Sequence, residues 1–282
     1  EPPVIYTPRL PRLETFAAWR DAARALASND VPADHVVWAM EGDSAGLFGE
    51  GAPLPDAHDM TVPKDFVLLA RLVCSSRAQG AHDLLYRVLV RCRGNAALLG
   101  NRADAEVQQL EAWAKHVRRD MHKMKAFVRF REVTPQGANR RQFLSWFEPE
   151  HRIEELVAAF FARRFADMDW VIVTPEVTVR FKGEELSLEA GRNAKLDLSD
   201  QTEDLWRTYY ANTFNPARLK IKAMQSEMPK KYWKNLPEAV LIPDMIAQAE
   251  ARVRQMQDNA PTLPPLRAER ITARLRADKL KR

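Results

Sequence analysis

Apolar residues recur at intervals of three and four along the first 125 residues, which is the spacing of one face of an α-helix. The pattern predicts four helices, at about 16–28, 63–78, 80–93 and 104–124. The fourth is the clearest, and its apolar stripe consists of Val107, Leu110, Ala114, Val117, Met121 and Met124. We therefore expect residues 14–125 to be mainly helical, with a short strand at 36–38 and a loop rich in Gly and Pro at 41–62.

After residue 125 the period changes to two, which is the period of a β-strand. The alternation predicts five strands, at about 126–133, 142–147, 169–174, 177–182 and 185–189. One helix is predicted between the second and third strands, at about 151–165. We therefore expect an antiparallel sheet of about five strands over 126–190, with that helix on one face.

The last third of the chain returns to helical spacing. Three helices are predicted there, at about 201–213, 216–227 and 238–257. The predicted fold class is α+β, with helical N- and C-terminal parts around a central antiparallel sheet. In this interpretation residues 1–260 form one domain, whose C-terminal helical part is 200–257. Residues 261–282 then form a Pro-rich linker and a basic stub that lead toward a further domain.

Length and composition restrict the class of protein only a little. The chain has 282 residues, of which 46% are hydrophobic, enough for a sizeable core. Its two cysteines, Cys74 and Cys92, lie in apolar helical surroundings, so we expect two buried free thiols. We expect no metal site and no cofactor. No stretch is apolar enough to predict a membrane span, and no secretory signal is visible, so we expect a cytoplasmic protein without membrane contact.

The net charge of +5 is small, but the charge is unevenly distributed. Residues 115–131 carry seven Lys or Arg side chains and one acid, and residues 215–234 carry six and one. Because the combined charge of these two segments exceeds the net charge of the whole chain, the remaining residues carry a net negative charge. Such concentration is the electrostatic footprint of a phosphate-binding surface. The candidate nucleic-acid-binding cations are Lys115, Arg118, Lys125, Arg129, Arg131, Arg218, Lys220, Lys222, Lys230 and Lys231.

Within the first basic segment, four side chains repeat at intervals of three and four. They are Lys115, Arg118, His122 and Lys125, which form a second stripe beside the apolar one. Arg129 and Arg131 are expected to continue this stripe onto one face of the first strand. The alternative interpretation is that these cations form an ordinary solvated face. Arg163 and Arg164, at the end of their predicted helix, are further candidates for phosphate binding, or they could complement the helix C-terminus.

The second basic segment combines cations with aromatic rings. Tyr232 and Trp233 follow Lys230 and Lys231 directly. Phosphates bind Lys and Arg, whereas unstacked bases stack on flat rings. The combination therefore favours single-stranded, flipped or damaged nucleic acid over ordinary duplex. The alternative is that both rings belong to the core.

Three side chains are candidates for catalysis. Glu148 and His151 lie where a predicted strand ends and a helix begins, and they could form an acid/base pair. His122 could act as a general acid. Alternatively, Glu148 or Glu150 only stabilises the helix N-terminus through the helix dipole, and His122 is merely exposed.

Several runs of residues resemble the motifs of a bacterial family of domains of unknown function that is associated with DNA repair. They are His122–Glu132, Glu148–His151, Phe161–Phe165, Leu205–Tyr210 and Met228–Glu238, in the order of the family. Members of that family accompany a radical-SAM protein or are fused in front of a family-X uracil-DNA glycosylase. The opening Thr15–Arg20 and the Pro-rich linker resemble the fused kind. The resemblance implies a role in DNA repair and carries no catalytic assignment.

The sequence therefore supports three hypotheses. The first is a DNA-binding module of a repair system, with DNA and a fused or associated glycosylase or radical-SAM protein as partners. The second is a repair enzyme, either a glycosylase or an abasic-site lyase. It would use Glu148 and His151 as acid and base, or Lys125 or Lys230 as a Schiff-base nucleophile. The third is binding of RNA, or docking to another protein.

Overall fold

The computed structural model describes residues 3–42, 51–95, 97–134, 136–137 and 139–193. All of them belong to one of the two compact units into which the chain divides, the one made of Glu1–Thr202 and Lys234–Leu236. The predicted helices beyond residue 200 and the basic segment 215–234 lie outside the described residues. The expectation of one domain extending to residue 260 therefore stays a prediction.

Four helices form the N-terminal part, close to their predicted positions. They are α1 (Thr15–Ser28), α2 (Lys64–Val73), α3 (Ala81–Gly94) and α4 (Ala105–Phe127). A two-residue parallel sheet pairs β1 (Arg9–Leu10) with β2 (Ala39–Met40) and holds together the segments on either side of α1. The strand expected at 36–38 lies just before β2, where Val36 forms an isolated bridge with Tyr6.

The helical part has an aromatic centre. The ring of Trp19 in α1 lies 5.7 Å from that of Trp38 and 6.3 Å from that of Phe66 in α2, measured between centroids. Trp38 lies 5.7 Å from Tyr86 of α3. The buried hydroxyl of Tyr86 donates a hydrogen bond of 2.8 Å to the carbonyl of Val31. Large rings that are removed from water in this way supply much of the apolar burial that holds helices together.

A five-stranded sheet with one helix forms the second part. Its elements are β3 (Arg131–Glu132), β4 (Gln142–Trp146), α5 (Glu154–Arg164), β5 (Asp169–Val173), β6 (Val177–Lys182) and β7 (Glu185–Ala190). The strands lie side by side in chain order. Strands β4 and β5 are parallel, whereas the other neighbouring pairs are antiparallel. The α+β class and the five-stranded sheet are thus confirmed. The parallel pair departs from the prediction, and α5 provides the crossover that such a pair requires.

The register of the sheet determines which side chains face α5. Phe143 and Trp170 are paired across β4 and β5, and the ring of Trp170 lies 6.1 Å from that of Phe161 in α5. Successive side chains of a strand point to opposite faces. Arg131, which is paired with Leu144, therefore lies on the face of the sheet opposite α5.

The strand predicted over 126–133 is wrong for most of its length. Helix α4 continues through Phe127, and the strand is limited to the two residues of β3. The ring of Phe130 lies 5.1 Å from Phe165 and 5.9 Å from Trp170, inside the aromatic layer between α5 and the sheet. Residues 128–130 therefore connect the helix to the sheet instead of pairing with β4.

The described residues include both cysteines and all five helices α1 to α5. Cys74 and Cys92 are both free and buried, as expected. Burial raises the pKa of each thiol, so both stay protonated at neutral pH. Among the helices that the structure describes, none is both long and apolar enough to cross a membrane.

Candidate functional site

Helix α4 presents two different faces over its 23 residues. It begins at Asp104, whose side chain accepts hydrogen bonds from the backbone N–H groups of Glu106 and Val107, both at 3.1 Å. This is the usual N-cap arrangement, which satisfies two otherwise unpaired donors. The apolar stripe is buried, apart from Met121, which is half-buried. The cationic positions follow the apolar ones by one residue, so they lie about 100° away on a neighbouring face of the helix.

We call Lys115, Arg118, His122 and Lys125 the cationic stripe. The first three side chains are exposed and Lys125 is half-buried. The stripe spans eleven residues of helix, so its ends lie about 15 Å apart. Among the described residues it makes one ion pair with an acid, Glu111, whose carboxylate lies 3.9 Å from the guanidinium of Arg118, with both side chains more than half exposed. Such a contact contributes little.

Lys125 connects the stripe to α5. Its Nζ lies 4.9 Å from the centroid of the Phe160 ring. Arg163 and Arg164 follow three and four residues after Phe160, so they lie on the same side of α5. Both are exposed, and the guanidinium of Arg164 lies 5.2 Å from the ring centroid of Phe165. The structure therefore brings two separate groups of predicted cations to one surface.

Arg129 and Arg131 do not continue the stripe along one strand, contrary to the expectation. Arg129 Nη1 donates a hydrogen bond of 2.8 Å to the carbonyl of Ala126, and so satisfies an oxygen at the C-terminal end of α4. Arg131 is half-buried in β3, on the face of the sheet opposite α5. The two arginines therefore have different surroundings from the cationic stripe.

The remaining predicted binding residues lie outside the described part of the chain. They are Arg218, Lys220, Lys222, Lys230, Lys231, Tyr232 and Trp233. Their role in binding nucleic acid stays a prediction.

A second group of charges lies where the helical part meets the sheet. We call Arg12, Arg77, Glu154 and Glu176 the ion-pair cluster. Arg12 donates to the carboxylates of Glu154, at 2.8 Å, and of Glu176. Arg77 donates to Glu176 at 2.7 Å. The hydroxyl of Thr174 donates to Glu154 at 2.7 Å. The side chain of Glu154 is only 1% exposed, so the cluster compensates a fully buried charge.

The protonation of Glu176 reflects these contacts. Burial by itself raises the pKa of its carboxyl. The hydrogen bonds from Arg77 and Arg12, and their positive charges, outweigh that effect and lower the pKa to about 2. The carboxylate therefore stays ionised well below the ordinary pKa of a glutamate.

His151 lies next to this cluster and makes two backbone contacts. The backbone N–H of His151 donates a hydrogen bond of 2.8 Å to Asp120 Oδ2. The backbone N–H of Arg77 donates one of 3.3 Å to Nδ1 of the His151 ring. Burial lowers the pKa of the imidazole. The negative charge of Asp120 opposes this, while His116, Arg77 and Arg152 act in the same direction as burial. A neutral ring whose Nδ1 accepts a hydrogen bond carries its proton on Nε2.

Glu148 and His151 were the predicted acid/base pair. The carboxylate of Glu148 accepts a hydrogen bond of 3.0 Å from the indole of Trp146. The carboxylate that influences the pKa of His151 belongs to Asp120. The structure thus places a different acid beside the histidine. A catalytic role for Glu148, His151 or the exposed His122 stays a hypothesis.

A second histidine in this region was not singled out from the sequence. His82 Nε2 lies 3.3 Å from the carbonyl oxygen of Cys74. Burial lowers the pKa of His82 to about 4, although the hydrogen bond to Cys74 opposes the shift. His82 is therefore neutral at physiological pH and donates from Nε2.

Two polar residues of α4 were also missed. Asp120 is 1% exposed and Lys123 is 7% exposed, so both lie on the buried side of the helix. The signal was present, because Asp120 follows Val117 by three residues and precedes Met124 by four. A charged residue on an apolar stripe indicates a buried polar contact. Within the part of the chain that the structure describes, no group of three or more potential ligands is arranged to hold a metal ion.

Fold and site together define an α+β domain with a buried ion-pair cluster and a separate, solvated row of cations. The model of one protein family, described as a domain of unknown function (DUF4130), matches residues 79–238. The match covers more than half of the chain, and the chain belongs to this family. The five motifs from His122–Glu132 to Met228–Glu238 lie inside the matched residues, whereas Thr15–Arg20 and the Pro-rich linker lie outside them. No curated protein and no solved structure matches the chain significantly.

Proposed function

We propose that this chain is a DNA-binding module of a repair system, which binds damaged, flipped or single-stranded DNA through the cationic stripe and the adjoining Arg163 and Arg164. One observation carries the proposal. In the described residues, Lys115, Lys125, Arg163 and Arg164 have no carboxylate partner. Uncompensated cations on one continuous surface are suited to the phosphates of a nucleic acid.

The salt dependence of binding tests this proposal. A fluorescent single-stranded DNA oligonucleotide is titrated with the protein at several salt concentrations, and anisotropy reports the association constant. Contact with five phosphates predicts a slope of log K against log salt of about −3 to −4. The basic segment 215–234 would make the slope steeper still.

A pair of double variants locates the binding surface. Lys115→Glu with Arg118→Glu reverses two charges of the stripe, and we expect binding to be lost at physiological salt. Arg20→Glu with Arg24→Glu makes the same change on α1, where each arginine already pairs with an aspartate. This control should bind nearly as the unchanged protein does. Equal affinities for the two double variants would show that the stripe is not the binding surface.

The repair setting rests on the family resemblance. We propose that the chain acts together with a fused or associated family-X uracil-DNA glycosylase or with a radical-SAM protein. Uracil excision is not attributed to this chain. Co-expression with each candidate partner, followed by affinity purification and gel filtration, tests the association. Elution of both candidates apart from this chain would contradict it.

The contacts of His151 favour a second candidate, a repair enzyme such as a glycosylase or an abasic-site lyase. The imidazole accepts at Nδ1 from the backbone N–H of Arg77, and the backbone N–H of the same residue is held by the carboxylate of Asp120. A ring positioned in this way is suited to accept or relay a proton. A lyase would also need an amine nucleophile, for which Lys125 and Lys230 are the candidates. Borohydride should then trap a covalent adduct with abasic-site DNA, and Lys125→Arg or Lys230→Arg should abolish it. Absence of any adduct would exclude the lyase.

The choice between DNA and RNA needs a direct comparison. Cations and rings bind both, and the 2′-hydroxyl is the group that distinguishes them. Matched DNA and RNA strands of one sequence should bind with a preference for DNA if the repair assignment is right. Tighter binding of the RNA strand would contradict it.

A further inference from the structure

Phe160 has surroundings that packing alone does not explain. The side of α5 that faces the sheet is formed by Val157, Ala158 and Phe161, all of which are buried. Phe160 is next to Phe161 in sequence, so it projects about 100° away around the helix axis. Its ring stays half-buried, and its edge meets Phe161 at 5.4 Å between centroids. A large aromatic ring thus lies at the surface of a helix that already buries another face.

The groups around this ring are cations. Lys125 Nζ lies 4.9 Å from the ring centroid, and Arg163 and Arg164 lie one turn further along α5. No carboxylate of the described residues pairs with any of the three. A partly exposed ring among uncompensated cations is the combination that binds an unstacked base and its flanking phosphates.

We propose that Phe160 is a base-stacking site for single-stranded DNA, with Lys125, Arg163 and Arg164 holding the phosphates on either side. The inference rests on the proposed DNA-binding function and assigns to this ring the preference for single strands. In the free protein Lys125 covers the ring. On binding, the ammonium group moves to a phosphate and a base takes its place. The exchange is favourable, because a base stacks on an aromatic ring more strongly than an exposed ammonium group binds to it.

The site discriminates by the accessibility of bases. Inside a duplex, each base is already stacked on its neighbours and offers no free face to Phe160. The cations contact phosphates in either form of DNA. The ring therefore contributes to the affinity for single strands and not to the affinity for duplex, whereas Lys115 and Arg118 contribute to both.

Substitution of Phe160 tests this inference. We expect Phe160→Leu to weaken the binding of a single-stranded oligonucleotide by about fivefold to a hundredfold and to leave duplex affinity within about twofold. Phe160→Trp should retain the single-strand affinity, because tryptophan also stacks. Phe16→Leu, which removes a half-buried ring of α1, serves as the matched control and should change neither affinity. Thermal melting of each variant verifies that it is folded.

A spectroscopic signal reports stacking directly. The fluorescence of 2-aminopurine in a single-stranded oligonucleotide is quenched when the base stacks, so binding to the unchanged protein and to Phe160→Trp should quench it. Phe160→Leu should lose this quenching even at saturating protein. An oligonucleotide whose central nucleotides lack bases should bind Phe160→Leu and the unchanged protein equally.

The outcomes separate the two proposals. If Phe160→Leu keeps the ratio of single-strand to duplex affinity, the stacking site is wrong, while loss of binding in Lys115→Glu with Arg118→Glu would still support the DNA-binding function. If the unchanged protein binds neither single strands nor duplex, the proposed function itself fails. Unaltered quenching in Phe160→Leu would also overturn the inference, because another ring would then hold the base.

Discussion

The ion-pair cluster and the cationic stripe both consist of side chains with full charges, yet their surroundings are opposite. In the cluster, Arg12 and Arg77 each contact a carboxylate, and Glu154 is almost completely removed from water. In the stripe, Lys115 and Lys125 have no such partner among the described residues. Compensated charge holds elements of the fold together, whereas uncompensated charge remains available to a ligand. The total charge of a chain cannot distinguish the two.

The two regions also differ in what their charges contribute to stability. A buried ion pair gains little overall, because desolvation offsets the attraction, but loss of one partner leaves a buried charge that is very unfavourable. A solvated cation is stabilised by water whether or not it has a partner. Changes in the cluster should therefore affect stability, and changes in the stripe should affect binding.

Arg12 provides the strongest test of this contrast. Arg12→Met leaves the buried carboxylate of Glu154 with the hydroxyl of Thr174 as its remaining partner among the described residues. We expect it to lower the free energy of unfolding by about 3 to 5 kcal/mol. Arg20→Met removes a cation whose pair with Asp21 is exposed, with 58% and 68% of the two side chains accessible. Its effect should stay below about 1 kcal/mol. Urea denaturation followed by circular dichroism measures both, and equal losses would contradict the role of Arg12.

The second largest effect on stability should come from a change of pH, through buried groups of the fold. The folded chain keeps His82 neutral down to about pH 4, whereas the unfolded chain takes up a proton near the ordinary pKa of 6.5. This stabilisation is complete above about pH 6.5 and is lost as the pH falls to about 4, on the order of 3 kcal/mol in total. Glu176, with its pKa of about 2, adds a loss that begins below about pH 4.5.

The variant His82→Gln distinguishes the histidine from the carboxylates. Its unfolding free energy should vary less between pH 7 and pH 5 than that of the unchanged protein. His58→Gln changes an exposed histidine and should leave the pH profile as it is. If all three profiles coincide, His82 is not responsible for the acid sensitivity.

Asp104 sharpens the comparison on the helix that carries the stripe. Asp104→Ala removes the N-cap of α4 and a salt bridge of 2.5 Å to Arg91, so we expect a loss of about 1 to 2 kcal/mol. Asp65→Ala, in the exposed first turn of α2, should cost less than about 0.5 kcal/mol. The same urea titrations measure both. A larger loss in the α2 variant would contradict the importance of the cap.

The smallest effect on stability should come from the stripe itself. Lys115→Gln with Arg118→Gln should change the unfolding free energy by less than about 0.5 kcal/mol, because both side chains are exposed and like charges are removed. The same double variant should bind single-stranded DNA more weakly. A loss of stability above about 1 kcal/mol would show that these residues stabilise the fold, as those of the ion-pair cluster do.

Local periodicity predicted the features that depend on neighbours in sequence. The exposed positions of Lys115, Arg118 and His122 follow from the period of α4 alone, since the apolar stripe lies on a neighbouring face. The bounds of β5, β6 and β7 were predicted within one residue, because their alternation is uninterrupted. Helical spacing and strand alternation are properties of a single element, so a single sequence contains them.

Features that depend on distant partners were not predictable in this way. The carboxylate of Asp120 accepts a hydrogen bond from a residue 31 positions away in the sequence. The carboxylate of Glu154 accepts one from a residue 142 positions away. Alternation also gives no strand direction, so the parallel pairing of β4 and β5 could not be read from it. The prediction of a strand at 126–133 was wrong for a similar reason, because Phe130 packs against the rings of Phe165 and Trp170, which are distant in sequence.

The ion-pair cluster bears on how this family can be studied in isolation. The family match begins at residue 79, yet Arg12 and Arg77 come before that position and their carboxylates, Glu154 and Glu176, come after it. A fragment cut at the start of the match would retain both acids and lose both cations. In this chain the start of the match therefore cuts through the ion-pair cluster, and we expect a fragment that begins at residue 79 to be less stable than the unchanged protein.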